Sequence, residues 1–321
     1  MTATRVPVTV QYVLLALTWG ASFLFIKIGL EGLSPGQVVL GRMVAGALTL
    51  AALCALTRRR LPTDPVVWAH LGVVAVLLCV APFLLFAWAE QHISSGLASI
   101  YNATTPLMTM VVALALLPGE RPTRAGLTGL GIGFVGVFVL VAPWHGLGRA
   151  DALGQVACLG ATACYGMGFT YLRRHVTPLG LPALGVACVQ VGLGALVMVL
   201  LAPFVAAQPT TITPRVALSV LALGAASTGL AYVWNTAIVA AWGATNAATV
   251  TYLTPVVGVV LGIVVLGEHL TWTEPVGAAL VVVGIAVTQG RLRLAAGRRR
   301  PSRQGPGPHA DPREEPAPDR S

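Results

Sequence analysis

Two basic side chains stand inside otherwise apolar stretches of the sequence, Lys27 and Arg42. A charge at the centre of a bilayer costs roughly 2.5–3.5 kcal/mol on insertion scales, so each needs a partner or a task. Lys27 lies near the end of its stretch, where its stem lets the ammonium reach the boundary, and Glu31 four residues on offers a helical ion pair. Arg42 lies about seven residues in, or ~10 Å at 1.5 Å per residue. Its planar fork suits a carboxylate or several helix-end carbonyls. Either residue could draw an anionic substrate group into a cavity or tie its segment to neighbouring backbone, and the sequence leaves both readings open.

The acids are placed differently. Glu31, Glu90, Glu120, Glu268 and Glu274 all fall near the ends of apolar stretches and none falls in a middle. A mid-membrane carboxylate relay is therefore not visible, while proton coupling through Glu90, His92 or Lys27 and simple facilitated diffusion both stay open. Glu120 and Glu268 each follow a glycine just before an apolar stretch, where a carboxylate complements the free N–H groups of a helix start.

Two polar runs end in proline. Tyr101, Asn102, Thr104 and Thr105 precede Pro106; Asn246, Thr249, Thr251, Tyr252 and Thr254 precede Pro255. Proline removes a donor and frees the carbonyl four residues earlier, which suits a ligand contact or a hinge; Ser/Thr packing is the plainer alternative. Trp19, Ser22 and Tyr165, with Trp88, Tyr232, Trp234 and Asn235, are candidates for an aromatic-lined pocket. Trp88 and Trp234 equally suit the aromatic belt at a membrane surface.

Several chemistries have no carrier. No Gly-x4-Gly-Lys-Ser/Thr loop, Cys-x-x-Cys pair or nucleophile–base constellation occurs, and the six His are scattered. Neither a metal, a cofactor nor an enzymatic activity is expected. A membrane-embedded lipid or isoprenoid enzyme and a non-transporting scaffold are the alternatives to transport, and both lack supporting clusters or surface.

The elements that must position these residues follow from composition. The chain has 321 residues, 56% hydrophobic and 10% charged, against about 25% charged in soluble domains. That excludes a soluble globular enzyme, a disordered chain and a coiled coil. Continuous apolar runs of ~20 residues indicate membrane helices rather than the alternating strands of a barrel. Ten spans are predicted, at 10–30, 36–56, 66–89, 95–117, 124–142, 152–172, 183–206, 215–239, 244–266 and 274–290. Residues 291–321, rich in Arg and Pro, read as a disordered basic tail suited to anionic lipid rather than nucleic acid. Sixteen of the 20 basic residues fall on one side of these spans and only Arg149 and Arg215 on the other, which predicts a cytoplasmic membrane protein with both termini cytoplasmic.

The chain also repeats itself. Thr105-Pro106, Gly119-Glu120, Gly129 and Gly136 recur as Thr254-Pro255, Gly267-Glu268, Gly277 and Gly284; from each Glu the glycines fall at +9 and +16. Trp19-Gly20, Phe23 and Lys27 match Tyr165-Gly166, Phe169 and Arg173 at an offset of 146. Two five-span halves, 10–142 and 152–290 after a short N-terminal segment 1–9, would sit in opposite orientations, as in many secondary transporters.

At these residues the sequence resembles the EamA family of the drug/metabolite transporter superfamily. Trp19-Gly20-Ala21-Ser22-Phe23 with Lys27, Arg42, and the duplicated Thr-Pro, Gly-Glu and spaced-Gly pattern carry the resemblance. It implies an all-α polytopic membrane protein of ten transmembrane helices in two inverted repeats. It also implies movement of small metabolites, amino-acid-like or drug-like, with no fixed substrate. Expected site residues are Trp19, Ser22, Lys27, Arg42, Tyr101, Thr105, Tyr165, Asn246 and Tyr252, with Pro106, Pro255, Glu120 and Glu268 as structural or hinge positions. The expected partners are a small-molecule substrate and membrane lipid, with a homodimer left open. One departure stands out: span 7 has no Arg matching Arg42 and offers only Gln190 nearby.

Overall fold

A computed structural model describes residues 6–58, 61–116, 123–145, 149–243 and 247–292. Glu120 and Asn246, two of the expected functional positions, lie outside the described residues, as does nearly all of the basic tail. Among the described residues every regular element is helical.

We number the helices α1 (Val8–Gly29), α2 (Pro35–Leu56), α3 (Pro65–Ala89), α4 (Ser95–Leu116), α5 (Arg124–Val141), α6 (Arg149–His175), α7 (Ala183–Val205), α8 (Pro214–Trp242), α9 (Val250–Leu266) and α10 (Thr273–Thr288). Local chemistry sets their starts. Ser34 and Gln37 form a reciprocal capping box before α2, and Asp64, Ser94, Thr123 and Thr213 each accept a first-turn N–H. Proline follows the cap of α2, α3 and α8, where its missing donor costs nothing.

Eight of the helices are long and apolar enough to cross a membrane; α9 and α10 are apolar but shorter. Within the span expected at 244–266, α9 begins at Val250 after a turn at Ala248 and Thr249, and Gly243 has a positive φ of 80°. Large apolar side chains such as Leu56, Phe204 and Val264 point outward on the surface. That distribution fits lipid as the solvent, since lipid gives apolar atoms no reason to turn inward.

The helices pair selectively. α1 packs on α8 and α9, α6 on α3 and α4, α2 on α7 and α8, α3 on α7, and α4 on α9; α5 pairs with α10. The last pair is closest. A Cβ on Gly136 would sit 2.9 Å from the Gly277 carbonyl, and one on Gly284 2.6 Å from that of Gly129, so only glycine permits this approach.

Three helices depart from regular winding. α3 widens to π-helix over Val76–Val80, where Pro82 cannot donate to the carbonyl four residues back. α8 does the same over Ala225–Leu230, where the Thr228 hydroxyl bonds the Leu223 carbonyl at 3.2 Å. α4 breaks between Asn102 and Thr105. Pro106 cannot bond the Asn102 carbonyl, and the Thr105 hydroxyl bonds it instead at 2.7 Å. Pro255, by contrast, is buried inside α9 without breaking it.

Candidate functional site

A cavity of about 480 Å³ lies between α1, α2, α3, α4, α6, α7, α8 and α9. Every irregular stretch just described opens onto it: Leu78 from the α3 π-turn, Ser227 and Thr228 from the α8 π-turn, Asn102 and Thr105 from the α4 break. π-Bulges and broken turns free polar groups that a regular helix would hide, and they concentrate at functional sites. The cavity runs from mid-bundle toward the α6–α7 connection, where Thr177 and Leu181 line it.

Its floor is aromatic. Phe23 and Phe86 meet edge-to-face with centroids 5.6 Å apart, and Tyr165 adjoins Phe86 at 6.2 Å. Among the described residues Arg42 is the sole charged side chain lining the cavity. It is buried, its guanidinium carbon stands 3.5 Å over the Phe83 ring, and its Nε donates to Thr228 Oγ1 at 3.0 Å. A cation over a desolvated ring gains about 2 kcal/mol, and Thr228 adds one directed bond. These contacts use the face of the guanidinium and one of its five N–H groups. One nitrogen thus ties α2 to α8, through a side chain rather than backbone, and the residue also lines the cavity.

Gln190 of α7 also lines the cavity. Its Nε2 donates to Tyr232 OH at 3.2 Å and to Cys79 Sγ at 3.3 Å. Cys79 lies in the α3 π-turn, as Thr228 lies in that of α8.

Of the expected substrate-binding residues, Trp19, Ser22, Arg42, Thr105 and Tyr165 line the cavity. Lys27, Tyr101 and Tyr252 are placed elsewhere. Lys27 donates to the backbone carbonyls of Glu90 and Ile93, the latter at 2.9 Å. Its expected pairing with Glu31 does not form, because α1 ends at Gly29 and Glu31 turns outward to Arg215, at 3.3 Å. Tyr101 is buried and donates to Gln155 Oε1 at 2.8 Å; Tyr252 donates to Gln289 Oε1 at 2.7 Å. Glu268 supports a helix start, but that of α4 rather than of the helix it precedes. Its carboxylate accepts from Ser95 N at 2.7 Å, Ser95 Oγ at 3.0 Å and Gly96 N at 3.0 Å. The glycine before it, Gly267, is left-handed and folds the chain back toward α4.

Those bonds belong to a closed end of the bundle. Besides Lys27 and Glu268, Gln37 donates to the Ala206 and Gln208 carbonyls at 3.0 and 2.6 Å, and Thr211 N to the Gly32 carbonyl at 2.8 Å. The α1–α2, α3–α4, α7–α8 and α9–α10 connections are thus knitted together. The cavity opens at the other end.

Phe83, Phe86, Ser227 and Thr228 are cavity residues that sequence reasoning did not single out. Pro82 was the available signal for the first two, since a proline inside an apolar run marks a distorted turn. Ser227 and Thr228 lie in an Ala/Gly/Ser stretch with no such mark.

This architecture is matched by known proteins. Residues 9–142 and 152–289 both fit the model of the EamA-like transporter family. The chain belongs to that family. Within the EamA-like transporters it is 28% identical to a "probable terminal-alkyne amino-acid exporter" of Streptantibioticus cattleyicolor, over 90% of this chain and 94% of the relative. It is 27% identical to the inner membrane transporter YedA of Escherichia coli K12, over 88% and 90%. A "probable amino-acid metabolite efflux pump" of Salmonella typhimurium is 25% identical over 85% of this chain and 92% of that one. A solved crystal structure shares the fold with a TM-score of 0.62 at 22% identity, covering 87% of this chain and 95% of its own. The protein is an EamA-type, multi-pass membrane transporter.

Proposed function

We propose that this transporter exports small, carboxylate-bearing, amino-acid-like metabolites across the cytoplasmic membrane, by alternating access between two inverted five-helix repeats. The observation that carries the substrate class is the Arg42 guanidinium, among the described residues the single charge in an aromatic and hydroxyl-lined cavity. In such surroundings a bidentate guanidinium–carboxylate contact is strong and oriented, while the aromatic walls take an apolar side chain. Relatives named as amino-acid exporters support the class and the direction.

The helix pairings support the repeat. Exchanging α1–α5 for α6–α10 turns α1·α9 into α6·α4, α1·α8 into α6·α3 and α2·α8 into α7·α3, and it leaves α2·α7, α4·α9 and α5·α10 unchanged. The cavity walls follow the same exchange: Trp19 with Tyr165, Phe23 with Phe169, Phe86 with Asn235, and Thr105 with Thr254. An odd number of helices per half inverts the second half. In this reading α9 and α10 complete ten spans, both termini and the open end face the cytoplasm, and the knitted end faces outward. Substrate and lipid are the partners, and a homodimer is compatible with the outward apolar surface.

The test is transport by the purified protein in lipid vesicles. Counterflow of L-phenylalanine, and none of L-phenylalaninol, which lacks the carboxylate, is the expected result. Equal movement of both removes the carboxylate class, and movement of neither, with fully folded protein, removes the amino-acid class.

A further inference from the structure

The closed end holds one group that the substrate site does not use. Glu90 caps the C-terminus of α3, its backbone N–H bonding the Phe86 carbonyl at 2.9 Å. Its side chain has 0% exposure, and neither carboxylate oxygen has a hydrogen-bond partner. Phe86, one turn earlier, lies in the cavity floor. Glu90 therefore sits between that floor and the knitted connections.

Its surroundings are charged yet do not satisfy it. Lys27 of α1 is nearest in consequence, but its ammonium is committed to the Glu90 and Ile93 carbonyls. Arg42 of α2 is held by Thr228 and Phe83. Glu268, after α9, is engaged with Ser95 and Gly96, and it repels a second carboxylate. Cys158 of α6 contributes a buried thiol, and the ring of His92, two residues after Glu90, lies tilted against Trp88 with centroids 4.5 Å apart. An ionised carboxylate with two unpartnered oxygens would cost several kcal/mol in this setting, whereas the protonated acid is tolerated.

We propose that Glu90 is a proton-binding site that holds the outward end of this transporter closed. In the closed arrangement the carboxyl group keeps its proton. When the α3–α4 connection lifts, Lys27 loses its two carbonyls, water reaches Glu90, the O–H bond breaks, and the proton passes to water. The carboxylate then takes Lys27 as its ion partner, which stabilises the open arrangement. Closing reverses each step with one proton taken back. The folded, closed form thus binds one more proton than the open form, so raising pH favours opening, by at most tenfold per pH unit. Glu268 faces the same end, where its carboxylate holds the α4 start through Ser95 and Gly96. The position matching Glu90 in the second half is Val239, which carries no titratable group. The proposal rests on the alternating-access reading for its purpose, but not for its test.

That test needs no substrate. Hydrogen exchange of the stretch 90–97 would be followed in the full-length protein at about pH 6 and about pH 8, corrected for intrinsic rates. Wild type is expected to lose protection at the higher pH, while E90Q stays protected at both. The infrared C=O band of a protonated carboxyl is expected at the lower pH in wild type and absent in E90Q. E90D, which keeps a titrating group, should retain the pH dependence if E90Q folds poorly. Loss of protection with pH in E90Q equal to wild type, or no carboxyl band assignable to Glu90, would overturn the proposal. Failure of phenylalanine counterflow with these signatures intact would instead fall on the substrate class.

Discussion

Arg42 and Gln190 stand 148 residues apart, and their partners Thr228 and Cys79 stand 149 apart. Each polar residue comes from the second helix of its half and reaches into the π-turn of the other half's third helix. Their ring contacts correspond as well: Arg42 lies over Phe83, and Gln190 bonds Tyr232, again 149 residues on. The two clusters share a scaffold and differ in charge. A cavity with two cationic ends would take a dianion, and one with two neutral ends would give no orientation. One cation and one amide give a single polar direction, and under the proposed function the carboxylate is drawn to the α2 side.

The sharpest way to break this comparison is to make the clusters alike. R42Q removes the one charge that lines the cavity among the described residues and is expected to weaken L-phenylalanine binding by roughly 10–100-fold, the value of a charge-assisted bond at about 1.5–3 kcal/mol, read by calorimetry. The opposite change, Q190R, supplies a second cation. Succinate, a dicarboxylate, is then expected to bind about tenfold better than to wild type, measured in the same way. Removing the partners should be unequal. T228V loses one bond to the charged group and is expected to cost about 3–10-fold in affinity, while C79A changes it by less than about twofold. Smallest of all, E268Q acts only at the closed end. It should lower the thermal midpoint through the α4 start and leave the ratio of phenylalanine to phenylalaninol binding unchanged.

Much of this was legible in the sequence because its signals are of long range and simple form. Apolar runs place most helix ends within a few residues, since lipid allows no other solution for the backbone. Arg42 declares itself as a charge where charge is costly. Gln190 was visible as its unequal counterpart. What escaped notice depended on winding. A π-turn shifts which side chain faces inward, so helical periodicity could not place Thr228 or Cys79. Glu90 was legible as an end-of-span acid and as one of three candidates for proton coupling, but not its full burial, which comes from parts of the chain distant in sequence. Lys27 and Glu268 were read against their sequence neighbours, yet both reach across to other helices, which is how a short connection in a bundle satisfies its free carbonyls and N–H groups.

The most direct measurement is the ratio of L-phenylalanine to L-phenylalaninol affinity, in wild type and in R42Q, on folded protein in lipid nanodiscs. A wild-type preference of about tenfold or more that falls to near one in R42Q is the expected result. A wild-type ratio near one, or a preference that survives in R42Q, would contradict the assignment of Arg42 as the carboxylate-binding group.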